Sequence, residues 1–599
     1  MGNEAKPMAS IRKKHTDAVI VGFGWTGAIM AIELANAGLD VVALERGDNR
    51  DTIPDFAYPQ ITDEVKYSAR QALLQNLAKT TVTIRHTKGD VALPYRQFGS
   101  FKPGEGVGGA GTHWSGVQSR VSPDELRLYS RVKDRYGEKF IPADMNLQDW
   151  GVTYDELEPH FDRFEYVCGT SGKAGNIKGT PVEGGNPFEG YRSREYPVPP
   201  LADHPTGRLF AAAAKSLGYK PFPLPAGNAS AAYQNEYGCQ LGPCNFCGFC
   251  SDYGCLNYSK ASPQTTIIPA LLRKPNFELR VNSHVTRVNL DSTGKRAIGV
   301  TYIDAEGNEV EQPADMVILA AFHLHNIRLM LSSRIGTPFN VDTNEGVIGR
   351  NLCYQYINSV NMFWDKDVYI NQFIGTGGGG QAIEEFNADN FDHGPLGFIG
   401  GGVIWGRQTG NGPVRGVPLP EDTPKWGTEW KQAVVDNFLH TGRIESQSSS
   451  LANRAYYADL DPTYKDAYGT PLLRLTFDWN DNDLRSAAFL GSKVMEIGHA
   501  MNPKSISGRI FKPGMHWDTR PYQSTHVCGG TPMGADPKTS AVNKYLQSWD
   551  VSNVFVLGAN TFAHGIGYNP TGLVGGLGYW AASNIRSQYL KNPGPMVHV

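Results

Sequence analysis

The sequence has little of what marks a membrane or nucleic-acid-binding protein. It contains no run of 18 or more apolar residues, the length that a membrane-spanning helix needs. Its 56 Lys and Arg are balanced by 59 Asp and Glu, and the lack of a basic excess argues against a nucleic-acid partner. Residues 1–17 lack the apolar stretch of a secretory signal. Taken alone, these absences predict a cytoplasmic protein that does not cross a membrane by itself.

Cysteine is also scarce, but its distribution is uneven. Five of the eight cysteines lie within residues 239–255. So dense a spacing makes poor disulfide links. Zinc sites usually take two separated pairs of ligands, so zinc is a less suitable alternative. Closely spaced thiolates on one loop are typical of iron–sulfur clusters, which is the interpretation that we favour. The order is Cys239-x4-Cys244-x2-Cys247-x2-Cys250-x4-Cys255.

Residues 17–47 follow a strand–turn–helix–strand pattern. A short apolar run leads into Gly22, Gly24 and Gly27, then into a helix with alanines at helical spacing, and a second strand ends in Glu45. These glycines allow a tight turn, close approach of the backbone to a pyrophosphate, and close packing of helix on strand. The helix N-terminus attracts phosphate charge, and the acid accepts hydrogen bonds from ribose. The pattern therefore predicts a dinucleotide-binding site.

The remaining pattern predicts a second domain made of insertions. The segments 277–290, 297–310 and 315–321 alternate like strands or form buried apolar runs, and the segment 551–590 indicates a strand and a helix. The blocks between them are rich in aromatics, Pro and Gly and favour a separate substrate domain. We assign residues 1–130, 256–354 and 521–599 to the nucleotide-binding domain, residues 131–255 to a substrate region with the cysteine loop, and residues 355–520 to the substrate domain.

Three further motifs carry a family resemblance. They are GEGVGGAGTHWSG (104–116), STHVCGGTPMGAD (524–536) and GIGYNPT (565–571). In this order, after the dinucleotide pattern, they resemble the glucose–methanol–choline (GMC) family of flavin oxidoreductases over essentially the whole chain. The resemblance implies a GMC fold of mixed α/β and α+β class. It consists of a Rossmann-like FAD-binding domain with an inserted antiparallel-sheet substrate domain, and FAD is the cofactor.

The resemblance also implies which residues bind FAD. The second glycine segment would follow the diphosphate and the flavin ring, with His113 and Trp114 beside the ring. For Trp114 the alternative is an ordinary core aromatic, and His113 leaves a covalent link to FAD open. The assigned positions of this group are Gly106, Gly108, Gly109, His113, Trp114, Val285, Asn560, Pro570 and Thr571.

The catalytic pair is assigned by the same resemblance. Oxidation of an alcohol by hydride removal requires loss of the hydroxyl proton, and a histidine suits a base that works near neutral pH. His526 matches the family's catalytic histidine, and Asn569 matches its second active-site position. We expect His526 to take the proton and Asn569 to hydrogen-bond the same oxygen. His564, five residues before Asn569, is an open candidate for the same pocket.

Within the family, the resemblance points to sugar dehydrogenases that carry a three-iron (3Fe-4S) cluster on three cysteines. The ligands would come from Cys244, Cys247, Cys250 and Cys255. Ferredoxin-like spacing favours the first three. Alignment of the segment 254–262 with the family's downstream motif favours the first, third and fourth, and a purely structural loop is a further alternative. A one-electron centre beside a flavin favours a dehydrogenase over an oxidase.

The implied reaction is oxidation of gluconate to 2-ketogluconate, with electrons passed to a multi-haem cytochrome c subunit. A small subunit that bears the export signal would place the chain at the periplasmic side of the inner membrane, and a cytoplasmic location is the alternative. Three other functions stay open. They are a dehydrogenase for another sugar, polyol or keto-gluconate, an oxygen-using alcohol oxidase, and an FAD-fold protein with a zinc loop.

Overall fold

The structure is a computed structural model that describes residues 11–56, 73–96, 100–410, 416–522 and 524–598. The strands are β1 (Ile11–Arg12), β2 (Thr16–Val21), β3 (Val41–Leu44), β4 (Val82–Arg85), β5 (Leu93–Pro94), β6 (Asn176–Ile177), β7 (Thr180–Pro181), β8 (Phe222–Pro223), β9 (Tyr233–Gln234), β10 (Gln240–Leu241), β11 (Phe277–Arg280), β12 (His284–Leu290), β13 (Ala297–Ile303), β14 (Glu309–Leu319), β15 (Arg350–Tyr354), β16 (Tyr356–Phe363), β17 (Gln381–Ile383), β18 (Gly402–Arg407), β19 (Thr441–Ser448), β20 (Tyr457–Lys465), β21 (Pro471–Thr476), β22 (Ser505–Arg509), β23 (Val527–Gly530) and β24 (Val554–Val556). The α-helices are α1 (Trp25–Asn36), α2 (Ala110–His113), α3 (Leu128–Tyr136), α4 (Tyr154–Cys168), α5 (Pro205–Ser216), α6 (Pro263–Thr266), α7 (Ile268–Leu271), α8 (His323–Ser332), α9 (Thr428–Asn437), α10 (Asp481–Ala500) and α11 (Thr571–Asn584).

The nucleotide-binding unit is built on an eight-stranded sheet. Its order is β11-β3-β2-β14-β13-β12, with β1 and β24 also paired to β14. The strands β11, β3, β2, β24 and the C-terminal half of β14 run parallel, and in this register Val19 lies opposite both Val42 and Val317. The inner strands β2, β3, β24 and the C-terminal end of β14 are largely apolar and buried on both faces, as parallel strands usually are, whereas the edge strand β11 is only partly buried. The predicted βαβ unit and the returning strands are confirmed.

Helix α1 packs on β2 and β3 of this sheet, and α11 packs on both α1 and α4. A Cβ atom added at Gly575 would lie 2.2 Å from the ring of Phe164, and one at Gly576 would lie 2.5 Å from the ring of Phe161. Both phenylalanines belong to α4 and both glycines to α11. Glycine therefore allows α11 to approach α4, and α11 begins directly after the segment that carries Asn569.

The second large unit is a six-stranded antiparallel sheet of order β22-β16-β19-β18-β17-β8. Along β16 alternate residues face opposite sides. Val360 and Met362 join the apolar cluster with α5 and α10, whereas Ile357, Ser359 and Asn361 line a cavity. The predicted antiparallel-sheet unit is therefore confirmed. Within the described part of the chain no helix is long and apolar enough to cross a membrane. Residues 1–10, on which part of the localisation prediction rests, lie outside the described residues.

Candidate active site

A cavity of about 810 Å³ lies between the two large sheets. One end is formed by the C-terminal ends of β2 and β3 and the N-terminus of α1, and the other by the cavity-facing side of the six-stranded sheet. The segment around His526 and the segment around Asn569 border the same space. Ligands of open parallel sheets bind at the carboxyl ends of the strands. The cavity thus joins a nucleotide site to a chamber lined by polar side chains.

The first glycine turn has the steric properties that the sequence predicts. Gly22 has a φ of +90°, and a Cβ atom there would lie 2.6 Å from the Cα of Ala321. A Cβ atom at Gly27 would lie 2.2 Å from the carbonyl oxygen of Gly22, so this glycine allows helix and strand to pack closely. Gly24 borders the cavity, and its added Cβ would meet nothing nearer than the Gly108 oxygen at 3.7 Å. The open space beside Gly24 fits a pyrophosphate at a helix N-terminus.

Glu45 lines the cavity at the end of β3 and also holds the glycine segments together. Its carboxyl accepts hydrogen bonds from the main-chain N–H groups of Phe23 (3.0 Å), Gly47 (2.9 Å) and Gly106 (3.2 Å). Burial raises the pKa of Glu45, and the three N–H donors act in the opposite direction. The glycine pattern predicts a ribose contact for this residue, but not its bond to Gly106, which is 61 residues away in the chain.

The second glycine segment lies against the first. Gly106 and Gly108 have φ values of +107° and +88°, and the Gly108 N–H donates to the Phe23 carbonyl at 2.8 Å. A Cβ atom at Gly108 would lie 2.3 Å from the amide of Gln264, whose Nε2 donates to the Val107 carbonyl at 2.6 Å. Both glycines are therefore favoured by their conformation, and Gly108 also by its contact with Gln264, and this packing brings the segment to the cavity.

His113 and Trp114 both line the cavity directly after this segment. His113 is buried, burial lowers its pKa to about 4, and its Nε2 has no hydrogen-bond partner among the described residues. Trp114 donates from its indole Nε1 to the Ala261 carbonyl at 2.7 Å. At neutral pH His113 is therefore an uncharged side chain in the cavity wall.

The other assigned cofactor positions divide into two groups. Val285, Pro570 and Thr571 line the cavity, as does Gly109. Asn560 does not. It is fully buried, its Oδ1 accepts from Asn326, and its Nδ2 donates to Thr531. Gly27, Gly106 and Gly108 also lie behind the cavity surface and shape it through the contacts described above.

His526 and Asn569 lie together in the cavity. The Nε2 of His526 is 3.2 Å from the Nδ2 of Asn569, and its Nδ1 contacts the Oε1 of Gln355. The amide orientation of Gln355 is fixed because its Nε2 donates to the carbonyls of Ile566 (2.9 Å) and Tyr568 (3.0 Å). An acceptor oxygen thus faces Nδ1, so Nδ1 carries the proton and Nε2 presents a lone pair.

The protonation state of His526 suits a base. Burial, and to a lesser extent the charge of Arg407, lower its pKa to about 3, so the imidazole is neutral at physiological pH. The sequence pattern does not reveal Gln355, because it precedes His526 by 171 residues and meets it only where β15 pairs with β23.

Asn569 lies on a loop that is anchored by Glu125. The side chain of Asn569 is 8% exposed, and its Oδ1 has no partner among the described residues. In the same loop, the Gly567 N–H donates to Glu125 at 2.8 Å. His564 lies outside the cavity lining and accepts from the indole of Trp150 at 3.0 Å, which indicates a structural role for this open candidate.

The cysteine loop contacts the wall of the same cavity. Ser251 and Asp252 line it, and the buried Lys260 donates to the carbonyls of both Cys250 (2.7 Å) and Trp114 (2.8 Å). Burial first, and then the neighbouring thiols, raise the pKa of Cys244 to about 11 and that of Cys247 to about 12. The sulfur of Cys255 accepts a hydrogen bond from the main-chain N–H of Lys260 at 3.3 Å. In the described parts of the chain, however, no group of three or more His, Cys, Asp or Glu side chains is arranged to hold a metal ion.

A Rossmann-type sheet, a glycine cradle and a neutral histidine in one cavity are typical of oxidoreductases that bind a dinucleotide. Comparison with protein families gives two matches, both described as GMC oxidoreductase, over residues 147–357 and 458–578. The chain belongs to the GMC oxidoreductase family, and it is an FAD-dependent oxidoreductase that acts on CH–OH groups.

Individual relatives agree with this assignment. The chain is 57% identical over 98% of its length to the gluconate 2-dehydrogenase flavoprotein of Pantoea cypripedii, of which it covers 95%. It is 24% identical over 96% of its length to the 2-methyl-1,2-propanediol dehydrogenase of Mycolicibacterium austroafricanum, of which it also covers 96%. The crystal structure of pyridoxine 4-oxidase from Mesorbium loti superposes with a TM-score of 0.56 at 16% identity, covering 96% of this chain and 100% of that one. This likeness supports the same fold.

Proposed function

We propose that this chain oxidises the C2 hydroxyl of gluconate to give 2-ketogluconate, with FAD as the hydride acceptor. The observation that carries the proposal is the neutral Nε2 of His526 beside the Asn569 amide in a cavity continuous with the glycine cradle. The high identity to a gluconate 2-dehydrogenase flavoprotein supports this choice of substrate over another sugar or polyol.

The residues present fit FAD. Gly24 and the N-terminal N–H groups of α1 would hold the pyrophosphate, and Glu45 would accept from the ribose. The second glycine segment, together with His113, Trp114, Val285, Pro570 and Thr571, would bound the rest of the cofactor. FAD, when bound, supplies the acceptor for the hydride from C2.

The chain's own residues handle the proton. The Nε2 of His526 takes it from the C2 hydroxyl, while the Nδ2 of Asn569 donates to the same oxygen and fixes its direction. Gln355 accepts from Nδ1–H before and after this transfer, so it holds the imidazole in one orientation. A base with a pKa as low as about 3 is unprotonated over the whole physiological range.

Turnover assays of the holoenzyme test this function. With an artificial electron acceptor we expect oxidation of gluconate, a 2-keto product, and little or no peroxide. Faster turnover of glucose or a neutral polyol would favour a different dehydrogenase. Peroxide formed in proportion to product, without an added acceptor, would favour an oxidase.

We further propose that the cysteine loop binds an iron–sulfur cluster and that electrons leave to a cytochrome c partner at the periplasmic face of the inner membrane, where a small partner subunit would bring the chain. The support is the spacing of the thiols and the contact of their loop with the cavity wall. The side chains of Cys244, Cys247, Cys250 and Cys255 do not form a ligand group in this structure, so binding would require them to turn toward one another.

Metal analysis separates the alternatives for this loop. We expect iron and acid-labile sulfide in the pure protein, lost in Cys250→Ser and kept in Cys168→Ser, which removes a buried cysteine outside the loop. Zinc without iron would favour a structural metal loop, and the absence of both would leave the loop without a metal.

A further inference from the structure

The cavity-facing side of the six-stranded sheet carries charged and polar residues in rows. The antiparallel register places Arg509 opposite Ser359, and Ser359 opposite Glu445. Residues that lie directly opposite each other on neighbouring strands direct their side chains to the same face of the sheet. All three residues line the cavity. A hydrophilic substrate that reaches His526 therefore lies against this row.

Six lysines and arginines line the cavity, and five of them have an acidic partner. Arg509 forms no ion pair with any acid of the described residues. The five pairs are Arg46–Glu105 (3.4 Å), Lys102–Asp252 (3.0 Å), Arg328–Asp466 (2.7 Å), Arg407–Glu445 (3.0 Å) and Arg443–Glu445 (3.8 Å).

The position of Arg509 is fixed by main-chain atoms near the catalytic pair. Its Nη2 donates to the Ile357 carbonyl at 3.3 Å and its Nη1 to the Pro521 carbonyl at 3.2 Å. Ile357 follows Gln355, the partner of His526, by two residues, or about 7 Å along a strand. The guanidinium also lies 5.0 Å from the ring centre of Tyr522, whose hydroxyl donates to the Gln355 carbonyl.

An arginine has five N–H donors, and Arg509 uses only two of them in its hydrogen bonds to main-chain carbonyls. The guanidinium therefore has donors left for a ligand. Its charge is also not neutralised by any described acid. A carboxylate is the anion that a guanidinium binds best, often through two parallel hydrogen bonds. In gluconate the carboxylate is attached directly to the carbon whose hydroxyl reacts at His526.

We propose that Arg509 binds the carboxylate of the sugar-acid substrate and thereby selects an acid over a neutral sugar. This inference rests on the proposed function. Arg407 and Arg443 share the single negative charge of Glu445, so this group of three keeps one net positive charge. Unlike Arg509, however, both already have a carboxylate partner, and we assign them, together with Glu445, to the sugar hydroxyls. Arg509 thus sets which hydroxyl faces His526, since it fixes the end of the substrate next to C2.

The test compares gluconate with gluconamide, which replaces the carboxylate by a neutral amide of similar size. Holoenzymes with Arg509→Gln, Arg509→Lys and the control Arg520→Gln would be assayed for both substrates. The control removes an exposed arginine that pairs with Asp518 at the surface. Flavin content and melting temperature verify that each variant is folded and loaded.

We expect Arg509→Gln to raise the KM for gluconate by about tenfold or more, since a hydrogen-bonded charge is lost. Its kcat/KM for gluconamide should stay near the wild-type value, Arg509→Lys should fall between, and Arg520→Gln should match the wild type. The ratio of the two substrates within one variant removes any effect of partial unfolding. A wild-type preference for gluconate that survives in Arg509→Gln overturns this inference alone. A wild type that does not oxidise gluconate overturns the proposed function as well.

Discussion

Replacing Glu125 by glutamine tests how the loop that carries Asn569 is anchored. Glu125 is buried, its Oε1 accepts from the Gly567 N–H at 2.8 Å, and its Oε2 has no partner among the described residues. The Gly567 N–H and the side chain of the neighbouring Asn387 both act to lower the pKa of Glu125. Burial raises the pKa of Glu125 to about 8, which keeps this carboxyl protonated at neutral pH.

The expected loss of stability with rising pH follows from the raised pKa of Glu125. An acid whose folded-state pKa lies above its unfolded value of 4.5 contributes fully below pH 4.5, and the contribution is lost as the pH rises toward 8. At about 1.4 kcal/mol per pKa unit, the loss between pH 5 and pH 9 is about 4 kcal/mol of unfolding free energy. With an unfolding entropy of about 2 cal/mol/K per residue, this corresponds to about 3 °C for the whole chain.

Scanning calorimetry of holoenzyme at pH 5, 7 and 9 measures the effect. Glutamine can accept from Gly567 and stays uncharged at every pH, so Glu125→Gln should melt close to the wild type at pH 5 and above it by about 3 °C at pH 9. Glu429→Gln removes an exposed helical glutamate and serves as the control. If the wild type and Glu125→Gln lose equal stability at alkaline pH, ionisation of Glu125 does not destabilise the protein. Glu384, whose pKa burial also raises to about 8, remains in both proteins. The charge of Glu125 contributes to that rise, so its loss lowers the Glu384 pKa and acts in the same direction as the expected gain at pH 9.

Three further predictions concern the cofactor cradle and the base. Gly24→Ala should fold normally, because the added Cβ meets nothing closer than 3.7 Å, yet it should lose flavin because that Cβ enters the cavity; a full flavin content with normal circular dichroism would contradict this role. The kcat/KM of the wild type should show no acid limb from His526 until the pH approaches its pKa of about 3; a limb near 6.5 that disappears in His526→Ala would contradict the neutral, buried imidazole. Gln355→Leu should lower kcat by about tenfold or more with little change in KM, since Nδ1–H loses its acceptor and the imidazole its fixed orientation; unchanged kcat at normal flavin content would remove Gln355 as a positioning residue.

Local pattern accounts for what could be predicted from the sequence. The unit β2-α1-β3 is encoded within about thirty residues, because apolar strands, glycine spacing and a terminal acid follow one another directly. The motif around Gly106 carries its own conformational requirement, since positive φ values favour glycine. Such features need no knowledge of distant contacts.

The site's supporting contacts depend on pairings between distant segments. Gln355 reaches His526 only through the register of β15 with β23, and Arg509 enters the cavity only because β22 pairs with β16. No periodicity within either segment identifies its partner. The same reason applies to Glu45, whose bond to Gly106 adds an architectural role to the one that the glycine pattern predicts.

Residue type and spacing also leave side-chain direction open. Asn560 stands in the C-terminal motif region, yet its amide bonds Asn326 and Thr531 and does not reach the cavity. His564 is close to Asn569 in sequence but is bound by Trp150 outside the cavity lining. A loop has no hydrophobic periodicity from which the orientation of a single polar side chain could be predicted. That orientation is therefore known only from the three-dimensional structure.

Anaerobic mixing of the FAD-loaded protein with gluconate, followed by measurement of the flavin absorbance, tests the proposed hydride transfer. We expect gluconate to bleach the flavin of the wild type within one turnover and to yield a 2-keto acid. We expect His526→Ala, with the same flavin content, to be bleached far more slowly. Bleaching of both proteins at the same rate, or no bleaching of the wild type by gluconate, would contradict this proposal.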